Sequence, residues 1–244
     1  AHFMTEMLAT DRISAIGQAV IARDSLPAGP YGHSETHQMV QQQFARFSDE
    51  KVAPIAEETH CHDKLIPEEL LQAMGELGVF GISIPDEYGG MFMDHRTMII
   101  ATEELSRGSL GAGGSVITRP EICAKAILVG GTEEQKQRYL MPLLNGELFS
   151  CYSMTEPHAG ADPTMFTTSA VRDGDDWVIN GWKFFSSNAA TSSFLIVMVV
   201  TNPEVSAYQG MSMFLVPTDT PGVKIERNIG LYGEQSGQGS HALI

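Results

Sequence analysis

The spacing of apolar residues changes near position 150 and divides the chain into two patterns. Before that point, apolar residues recur every three or four positions, which is typical of amphipathic helices that bury one face. After it, apolar and polar residues alternate and β-branched residues accumulate, which indicates strands. We therefore expect an α+β protein in which an N-terminal α-helical domain precedes a small antiparallel β-barrel or sandwich domain.

Start signals define the elements of the helical half. Asp94 and Thr132 are typical N-cap residues, and Gln135 completes a capping box with Thr132. Pro67 suits a first helical turn, whereas Pro54 lies inside an apolar repeat and predicts a break or a kink. These signals predict helices over residues 4–23, 36–59, 68–77, 94–107, 118–129 and 132–144, an extended piece at 82–85 and a glycine-rich run at 108–114 between helices.

Turn signals separate the strands of the second half. Asp173-Gly174 and Asn180-Gly181 are dipeptides that tight hairpins prefer. The predicted strands cover residues 149–155, 167–172, 177–180, 194–201, 211–216, 223–226 and 241–244. The predicted domain organisation is an N-terminal extension and linker at 1–35, a helical domain at 36–149 and a middle β-domain at 150–244.

Charge and cysteine content narrow the classes of function. The 244 residues include 15 Lys and Arg against 30 Asp and Glu, a formal net charge of −15. So acidic a chain is a poor match for a phosphate backbone, and we expect no nucleic-acid partner. Three scattered cysteines indicate a reducing compartment. Because no apolar run reaches the length of a membrane span, we expect a cytoplasmic protein without one.

Familiar nucleotide and metal motifs are missing. The run Gly111-Ala112-Gly113-Gly114 has the wrong spacing for a dinucleotide-binding turn, and the sequence contains no phosphate-binding loop motif. The run His60-Cys61-His62-Asp63 has no second pair at zinc spacing, so we assign no metal site. Cys151 lies in an apolar strand without an obvious base nearby, which is typical of an inert buried thiol.

The segment at 152–162 is the strongest candidate for chemistry. A predicted strand ends at Thr155, and Pro157 and Gly160 then turn the backbone through a tight, open loop. Such a loop presents amide N–H groups and one hydroxyl, which suit an anion or the polar edge of a heteroaromatic ring. An ordinary turn between strands explains the same spacing equally well.

Several ordered motifs resemble one known family. The motif Thr155-Glu156-Pro157-x-Ala159-Gly160-x-Asp162, with the strand and turn that lead to Asn180-Gly181-x-Lys183, is similar to the flavin-binding middle region of acyl-CoA dehydrogenases. Further similar segments lie at residues 78–90, 103–107 and 131–140, in the same order as in that family. The resemblance extends from about residue 38 to residue 244, so it covers most of the chain.

The resemblance implies an activity, a cofactor and partners. Members of this family desaturate an acyl-CoA thioester between its α and β carbons and pass a hydride to FAD. An electron-transferring flavoprotein then reoxidises the flavin. Members are usually homodimers or homotetramers, and those of eukaryotes lie in the mitochondrial matrix. We therefore expect an FAD-dependent acyl-CoA dehydrogenase of fatty acid metabolism.

The resemblance also implies where the cofactor binds. It places the Met154 backbone and the Thr155 hydroxyl at the pyrimidine edge of the flavin, Phe185 over its face, and the Ser187 hydroxyl near its reactive nitrogen. Strand alternation implies that either Phe184 or Phe185 is core. The implied FAD-binding residues are Tyr152, Ser153, Met154, Thr155, Gly160, Ala161, Phe185, Ser186 and Ser187.

Two positions depart from the family pattern, and a catalytic base is not assigned. Ala161 replaces a serine that helps to hold the CoA ester and the flavin diphosphate, which makes Ala161 the substrate-binding position, and Phe185 replaces a tryptophan. The family's catalytic glutamate belongs to a C-terminal helical domain that would follow Ile244. Within the chain, Glu156 is expected to be structural, and the pair Glu103-Glu104 to lie on a helix surface.

Two alternative functions stay open on the sequence. A flavin-dependent monooxygenase of the same fold would use reduced flavin and oxygen. A non-catalytic half would bind acyl-CoA and need a partner subunit, which Ala161 and the unassigned base would explain. For a dehydrogenase, residues 109–121 resemble members that act on CoA esters of short branched dicarboxylic acids.

Overall fold

The computed structural model describes residues 32–230 and 241–244 together with positions 14, 15, 17 and 18, and only the backbone at 112–120 and 241. The chain divides into two compact units, Ala1–Gln38 and Met39–Ile244. The helix predicted over 4–23 and the extension and linker at 1–35 lie mostly outside the described residues. The limits of the helical and β-domains stay a prediction.

The first helices confirm a break near Pro54. Helix α1 spans Glu35–Phe47, a turn of π-helix follows at Ser48–Val52, and α2 spans Ala53–Cys61. The Ala53 N–H reaches back five residues to the Ser48 carbonyl, and Pro54 stands in the first turn of α2, where its missing N–H costs least. Helix α3 then spans Glu68–Glu76 directly after Pro67.

The two longest helices of the described residues pack against each other, and the glycine-rich run belongs to the second of them. Helix α4 spans His95–Gly108, and its N-cap Asp94 accepts a hydrogen bond from the Thr97 N–H at 2.8 Å. Helix α5 spans Leu110–Gly130, so the prediction of a non-helical run at 108–114 is wrong. Each glycine costs about 1 kcal/mol of helix propensity, a local cost that tertiary packing overrides. No helix among the described residues has the length and apolarity needed to cross a bilayer.

Short elements complete the helical half. Helix α6 spans Glu133–Gln135, a π-helical turn follows at Lys136–Leu140, and α7 spans Met141–Leu144. Both hydrogen bonds of the capping box between Thr132 and Gln135 are present, which confirms that prediction. The extended piece predicted at 82–85 is wrong, because the Ile84 N–H closes a turn on the Gly81 carbonyl at 3.2 Å.

The described residues of the second half form two open sheets and a one-turn helix, with the bounds β1 Ser150–Ser153, β2 Ser169–Asp173, β3 Asp176–Asn180, β4 Ser186–Ser187, β5 Phe194–Val200, α8 Ala207–Gly210, β6 Met211–Pro217, β7 Arg227–Ile229 and β8 His241–Leu243. Strand β5 lies inside the larger sheet, with β6 antiparallel along its full length on one side and β1 on the other, and β2 and β3 form an adjoining hairpin. The smaller antiparallel sheet has the order β4–β8–β7. The one-turn helix, α8, precedes β6.

The α+β class is confirmed, with two corrections to the strand predictions. Strands β1 and β2 both pair with β5 in parallel, so the expectation of purely antiparallel pairing is wrong. Parallel neighbours require a long crossover, and here the chain builds β2, β3 and β4 between β1 and β5. The strand predicted at 223–226 begins only at Arg227, because the ladder with β8 runs from there to Ile229.

Three groups of buried apolar residues hold these elements. One lies among the helices, another joins α5 and α7 to β5, and a third lies on the opposite face of β5. Phe194 and Ile196 belong to the second group, whereas Leu195 and Val199 belong to the third. Strand β5 is therefore buried on both faces, which explains its continuous apolar sequence.

Glu104 is buried, so the prediction that it lies on a helix surface is wrong. Only 8% of Glu104 is exposed, and its carboxylate accepts hydrogen bonds from Gln41 at 3.0 Å and from Arg107 at 3.1 Å. Arg107 also binds Asp49 at 2.8 Å. The sequence does not distinguish Glu103 from Glu104, and only Glu103 is exposed as predicted. Glu104 thus fastens α4 to α1, and its partner Arg107 fastens α4 to the π-helical turn.

We expect Glu104→Gln to lower the free energy of unfolding by about 1–3 kcal/mol, because the amide places a donor where the carboxylate accepted charged hydrogen bonds. Urea unfolding of the chain at neutral pH measures this. The matched control is Glu103→Gln, which should change stability by less than about 0.5 kcal/mol. Equal stabilities of the two variants would contradict the assignment.

Candidate functional site

A buried ion pair lies behind the loop that the sequence singles out. Lys183 Nζ lies 2.9 Å from Glu156 Oε1, and only 3% and 1% of the two side chains is exposed. The carboxylate also accepts hydrogen bonds from the backbone N–H groups of Thr167 at 2.8 Å and Thr168 at 2.9 Å, and from the Thr167 hydroxyl at 3.0 Å. Both charges are therefore compensated inside the protein, as burial requires.

These contacts shift the pKa values of both groups. Burial, the largest influence, acts to raise the pKa of Glu156, but the hydrogen bonds from Thr167, Thr168 and Lys183 together outweigh it and lower that pKa to about 2. Burial lowers the pKa of Lys183, and the hydrogen bond and charge of Glu156 offset part of that change. Glu156 is thus a charged structural group and a poor proton acceptor, as the sequence predicted.

Lys183 fastens two segments to each other. Its Nζ donates a hydrogen bond to the Met154 carbonyl at 2.8 Å, and the next residue, Phe184, donates its N–H to the Thr155 carbonyl at 2.8 Å. On its other side, the Lys183 backbone exchanges two hydrogen bonds of 2.9 Å with Ile244. The segment around 183–185 therefore has a fixed position beside the loop at 154–156.

The structure brings some of the predicted cofactor residues together. Thr155 and Phe185 lie close because Phe184 is bonded to Thr155. Gly160 folds back onto the Thr155 side chain, since a Cβ at Gly160 would lie 3.5 Å from the Thr155 methyl group. The loop between them closes through two hydrogen bonds that Glu156 and Ala159 exchange.

The other predicted cofactor residues have surroundings of different kinds. The Tyr152 hydroxyl lies 3.5 Å from Met213 Sδ, and its ring packs against the group of apolar residues shared with the helices. Ser153 is fully buried, with its Oγ 3.6 Å from Cys151 Sγ. Ala161 is exposed, and Ser187 is half-buried in β4. The buried Ser186 Oγ has no hydrogen-bond partner among the described residues.

Phe185 has an unusual backbone conformation. Its φ is +54°, a left-handed conformation that bulky residues rarely adopt, and 41% of the residue is exposed. Its ring meets that of Phe184 edge-on, with centroids 4.3 Å apart. Phe184 is itself only half-buried, so the expectation that one of the two rings belongs to the core is wrong. The positive φ interrupts the alternation on which that expectation depended.

The site presents hydrogen-bond donors beside an exposed ring. Among the described residues, no hydrogen bond uses the N–H groups of Met154 and Thr155 or the Thr155 hydroxyl. Both carbonyls are already engaged, Met154 by Lys183 and Thr155 by Phe184. Donors without acceptors, next to the Phe185 ring, suit the acceptor-rich edge and the face of a flat heteroaromatic molecule. The residues present therefore fit the polar edge of a flavin.

Sequence reasoning missed the groups that fix this geometry. Lys183 was part of the recognised motif, but no role followed from its position. Thr167 and Thr168, which bind Glu156, lay in a predicted strand and carried no signal. For Lys183 the sequence did contain a signal, because an isolated lysine next to two phenylalanines is unusual unless its charge is paired.

Comparison with known proteins places the chain in a family. Residues 34–147 match the acyl-CoA dehydrogenase N-terminal domain, and residues 151–241 match the acyl-CoA dehydrogenase middle domain. These two matches cover most of the chain and meet at the point where the apolar pattern changes. The chain belongs to the acyl-CoA dehydrogenase family, which confirms the resemblance seen in the motifs.

Curated relatives carry related names. The (2S)-methylsuccinyl-CoA dehydrogenase of Cereibacter sphaeroides is 42% identical over 204 residues, which cover 80% of this chain and 37% of that protein. The mitochondrial short-chain specific acyl-CoA dehydrogenase of Homo sapiens is 34% identical over 83% of this chain and 49% of that protein. The chain thus spans about half or less of the length of these relatives.

Solved structures share the fold. A glutaryl-CoA dehydrogenase in complex with glutaryl-CoA has a TM-score of 0.81 and 32% identity, over 88% of this chain and 54% of that one. The glutaryl-CoA dehydrogenase of Mycobacterium smegmatis in complex with FADH2 has a TM-score of 0.78 and 29% identity, over 86% and 52%. A chain from a study of the electron transferring flavoprotein of Acidaminococcus fermentans has a TM-score of 0.79 and 33% identity, over 88% and 56%.

The low pKa of Glu156 predicts a loss of stability in acid. A carboxyl group whose folded pKa is about 2, against an unfolded value of about 4.3, stabilises the fold fully above about pH 4.5 and progressively less as the pH falls toward 2. We expect this group to account for about 3 kcal/mol of the stability lost over that range. Urea unfolding at a series of pH values measures it.

In the same experiment, Glu156→Gln should be about 3–5 kcal/mol less stable at pH 7, because it leaves Lys183 buried without its partner. Its stability should also fall less steeply between about pH 4.5 and 2. Glu134→Gln, at an exposed position of α6, is the control and should keep the steep acid loss. If Glu156→Gln lost stability in acid as steeply as the wild-type chain does, the ion pair would not be the source of that loss.

Proposed function

We propose that the protein is an FAD-dependent acyl-CoA dehydrogenase that oxidises the α,β carbon–carbon bond of an acyl-CoA thioester. The observation that carries this proposal is the pair of N–H groups at Met154 and Thr155 that no described residue uses, beside the exposed ring of Phe185, in a chain of this family. The fold of a relative in complex with FADH2 supports the choice of cofactor. When bound, FAD supplies the acceptor for the substrate hydride.

The chain's own residues hold and orient the cofactor. The Met154 and Thr155 N–H groups and the Thr155 hydroxyl donate to the polar edge of the flavin ring, and Phe185 covers one of its faces. The Ser187 hydroxyl lies further along the same segment and serves as an additional donor. Gly160 lies beside the Thr155 side chain, and the exposed Ala161 next to it is the proposed position for the CoA ester and the diphosphate.

No carboxylate of the chain is assigned as the catalytic base. Glu156 is excluded because its oxygens are fully engaged and its pKa is about 2. Glu104 is bound by Gln41 and Arg107, and Glu103 is exposed on α4. In the proposed mechanism this chain positions the flavin and the thioester, and the base comes from the C-terminal helical domain that the family resemblance implies.

The proposed substrate is the CoA thioester of a short, branched dicarboxylic acid. The relative that acts on (2S)-methylsuccinyl-CoA is 42% identical, and two similar structures are glutaryl-CoA dehydrogenases. The resemblance of residues 109–121 to members with such substrates agrees with this choice. The proposed electron acceptor is an electron-transferring flavoprotein, and the proposed assembly is a homodimer or homotetramer in the cytoplasm or, in a eukaryote, in the mitochondrial matrix.

Anaerobic reduction of the bound flavin tests the reaction class. The native protein is mixed without oxygen with methylsuccinyl-CoA, glutaryl-CoA or butyryl-CoA, and the flavin absorbance is followed. We expect bleaching that is fastest with a dicarboxylic thioester, and steady turnover when a dye acceptor is added. A flavin that no thioester bleaches would favour a monooxygenase, and binding without turnover would favour a non-catalytic half.

We expect Thr155→Val to weaken FAD binding by a factor of about 5 to 150, because it leaves a buried polar edge without one hydrogen bond. Fluorescence quenching during titration with FAD gives the dissociation constant. Thr102→Val is the matched control, since its hydroxyl bonds to the Met98 carbonyl inside α4, away from the loop. Equal affinities in both variants would contradict the placement of Thr155.

A further inference from the structure

Lys183 makes a contact that goes beyond stabilising the fold. Its buried ammonium donates to the Met154 carbonyl at 2.8 Å, and this carbonyl belongs to the same peptide group as the Thr155 N–H. The ammonium therefore lies at the acceptor end of a peptide whose donor end is unused among the described residues. The contact is a charge-assisted hydrogen bond in a site from which water is largely excluded.

We propose that Lys183 is a positioning residue of the flavin site, which polarises the Met154–Thr155 peptide and so strengthens the Thr155 N–H as a donor to the ligand. The inference rests on the proposed function, because it assigns that N–H to the polar edge of the flavin. Lys183 acts only through the peptide and does not touch the cofactor.

The physical basis is the cooperativity of linked hydrogen bonds. A cation at a peptide oxygen draws electrons from the amide nitrogen, so the N–H proton becomes more positive and its hydrogen bond stronger. Such a donor favours an acceptor that gains negative charge. Reduction of a flavin adds charge to its pyrimidine edge, and a polarised Thr155 N–H therefore stabilises the reduced form more than the oxidised form.

Glu156 limits the size of this effect. Its carboxylate lies 2.9 Å from the same ammonium and reduces the field that reaches the Met154 carbonyl. The Phe166 ring lies over the ammonium at 4.6 Å and excludes water from that side. The hydrogen bond to the Met154 carbonyl, at 2.8 Å, is as short as the 2.9 Å contact of the ion pair, so the ammonium still acts directly on this peptide.

The first experiment uses the chain without flavin. The amide nitrogen resonance of Thr155 is assigned by NMR in the wild-type chain, in Lys183→Met and in the double variant E156Q/K183M, which removes both charges and keeps a neutral, packed pair. Loss of the ammonium should move this resonance upfield in both variants. Lys51→Met, at an exposed position of the π-helical turn, is the control and should leave it in place. An unmoved resonance in a folded variant would overturn the inference.

The second experiment measures the flavin. We expect E156Q/K183M to bind oxidised FAD several-fold more weakly than the wild-type chain does, and to bind reduced FAD at least about tenfold more weakly. The midpoint potential of the bound flavin, measured by spectroelectrochemical titration, should therefore be more negative in the variant. Lys183→Arg should restore part of the potential, because the cation is kept. A purely structural role would weaken both redox forms equally and leave the potential unchanged, and that result would also overturn the inference.

The two proposals fail in different ways. If the wild-type chain binds no flavin, the proposed function is wrong, and the inference falls with it. If the wild-type chain binds flavin but the double variant has the same potential, only the inference is wrong. Lys183→Met leaves Glu156 buried without its partner. If this single variant does not fold, the double variant E156Q/K183M takes its place in both experiments. Circular dichroism checks that the double variant is folded.

Discussion

The arrangement of the β-domain depends on one buried ion pair. Lys183 and Glu156 are almost completely removed from water, and burial of two charges is favourable only when their remaining hydrogen bonds are made. The Thr167 and Thr168 N–H groups and the Met154 carbonyl supply those bonds. The pair therefore forces three separate segments of the chain into contact, and none of them can move away without leaving a charge uncompensated.

The same constraint explains why the candidate site is made of backbone groups. Lys183 occupies the Met154 carbonyl, so the peptide group that this carbonyl shares with the Thr155 N–H is held with that N–H directed away from the ammonium. Phe184 fixes the following peptide through the Thr155 carbonyl. Strand β1, which leads into this loop, lies against β5, and β5 is buried on both faces. A binding edge supported in this way keeps its geometry before any ligand arrives, which lowers the cost of binding.

Much of the fold follows from signals that are local in the sequence. The capping box at Thr132, the N-cap at Asp94 and the break near Pro54 all depend on a few neighbouring residues, and the structure confirms them. The errors have a common cause. Parallel pairing of β1 with β5 and burial of Glu104 are decided by partners distant in sequence, and the helix at the start of α5 forms against the local preference of its glycines. Local propensity contains no information on such partners.

The candidate site likewise combines features that local sequence predicts with features that distant partners decide. Thr155, Gly160 and Phe185 were identified through motif resemblance, and their proximity arises from hydrogen bonds that the motif does not describe. Glu156 and Lys183 are 27 positions apart, so no periodicity relates them. Phe185 shows the limit most clearly, because alternation assumes a regular strand and its φ is +54°. Strain of this kind costs of order 1–3 kcal/mol and persists only where surrounding contacts enforce it. At Phe185 those contacts include the ring of Phe184, whose N–H bonds to the Thr155 carbonyl next to the Lys183 ion pair. The conformation that breaks the alternation therefore stands beside the interaction that was invisible in the sequence.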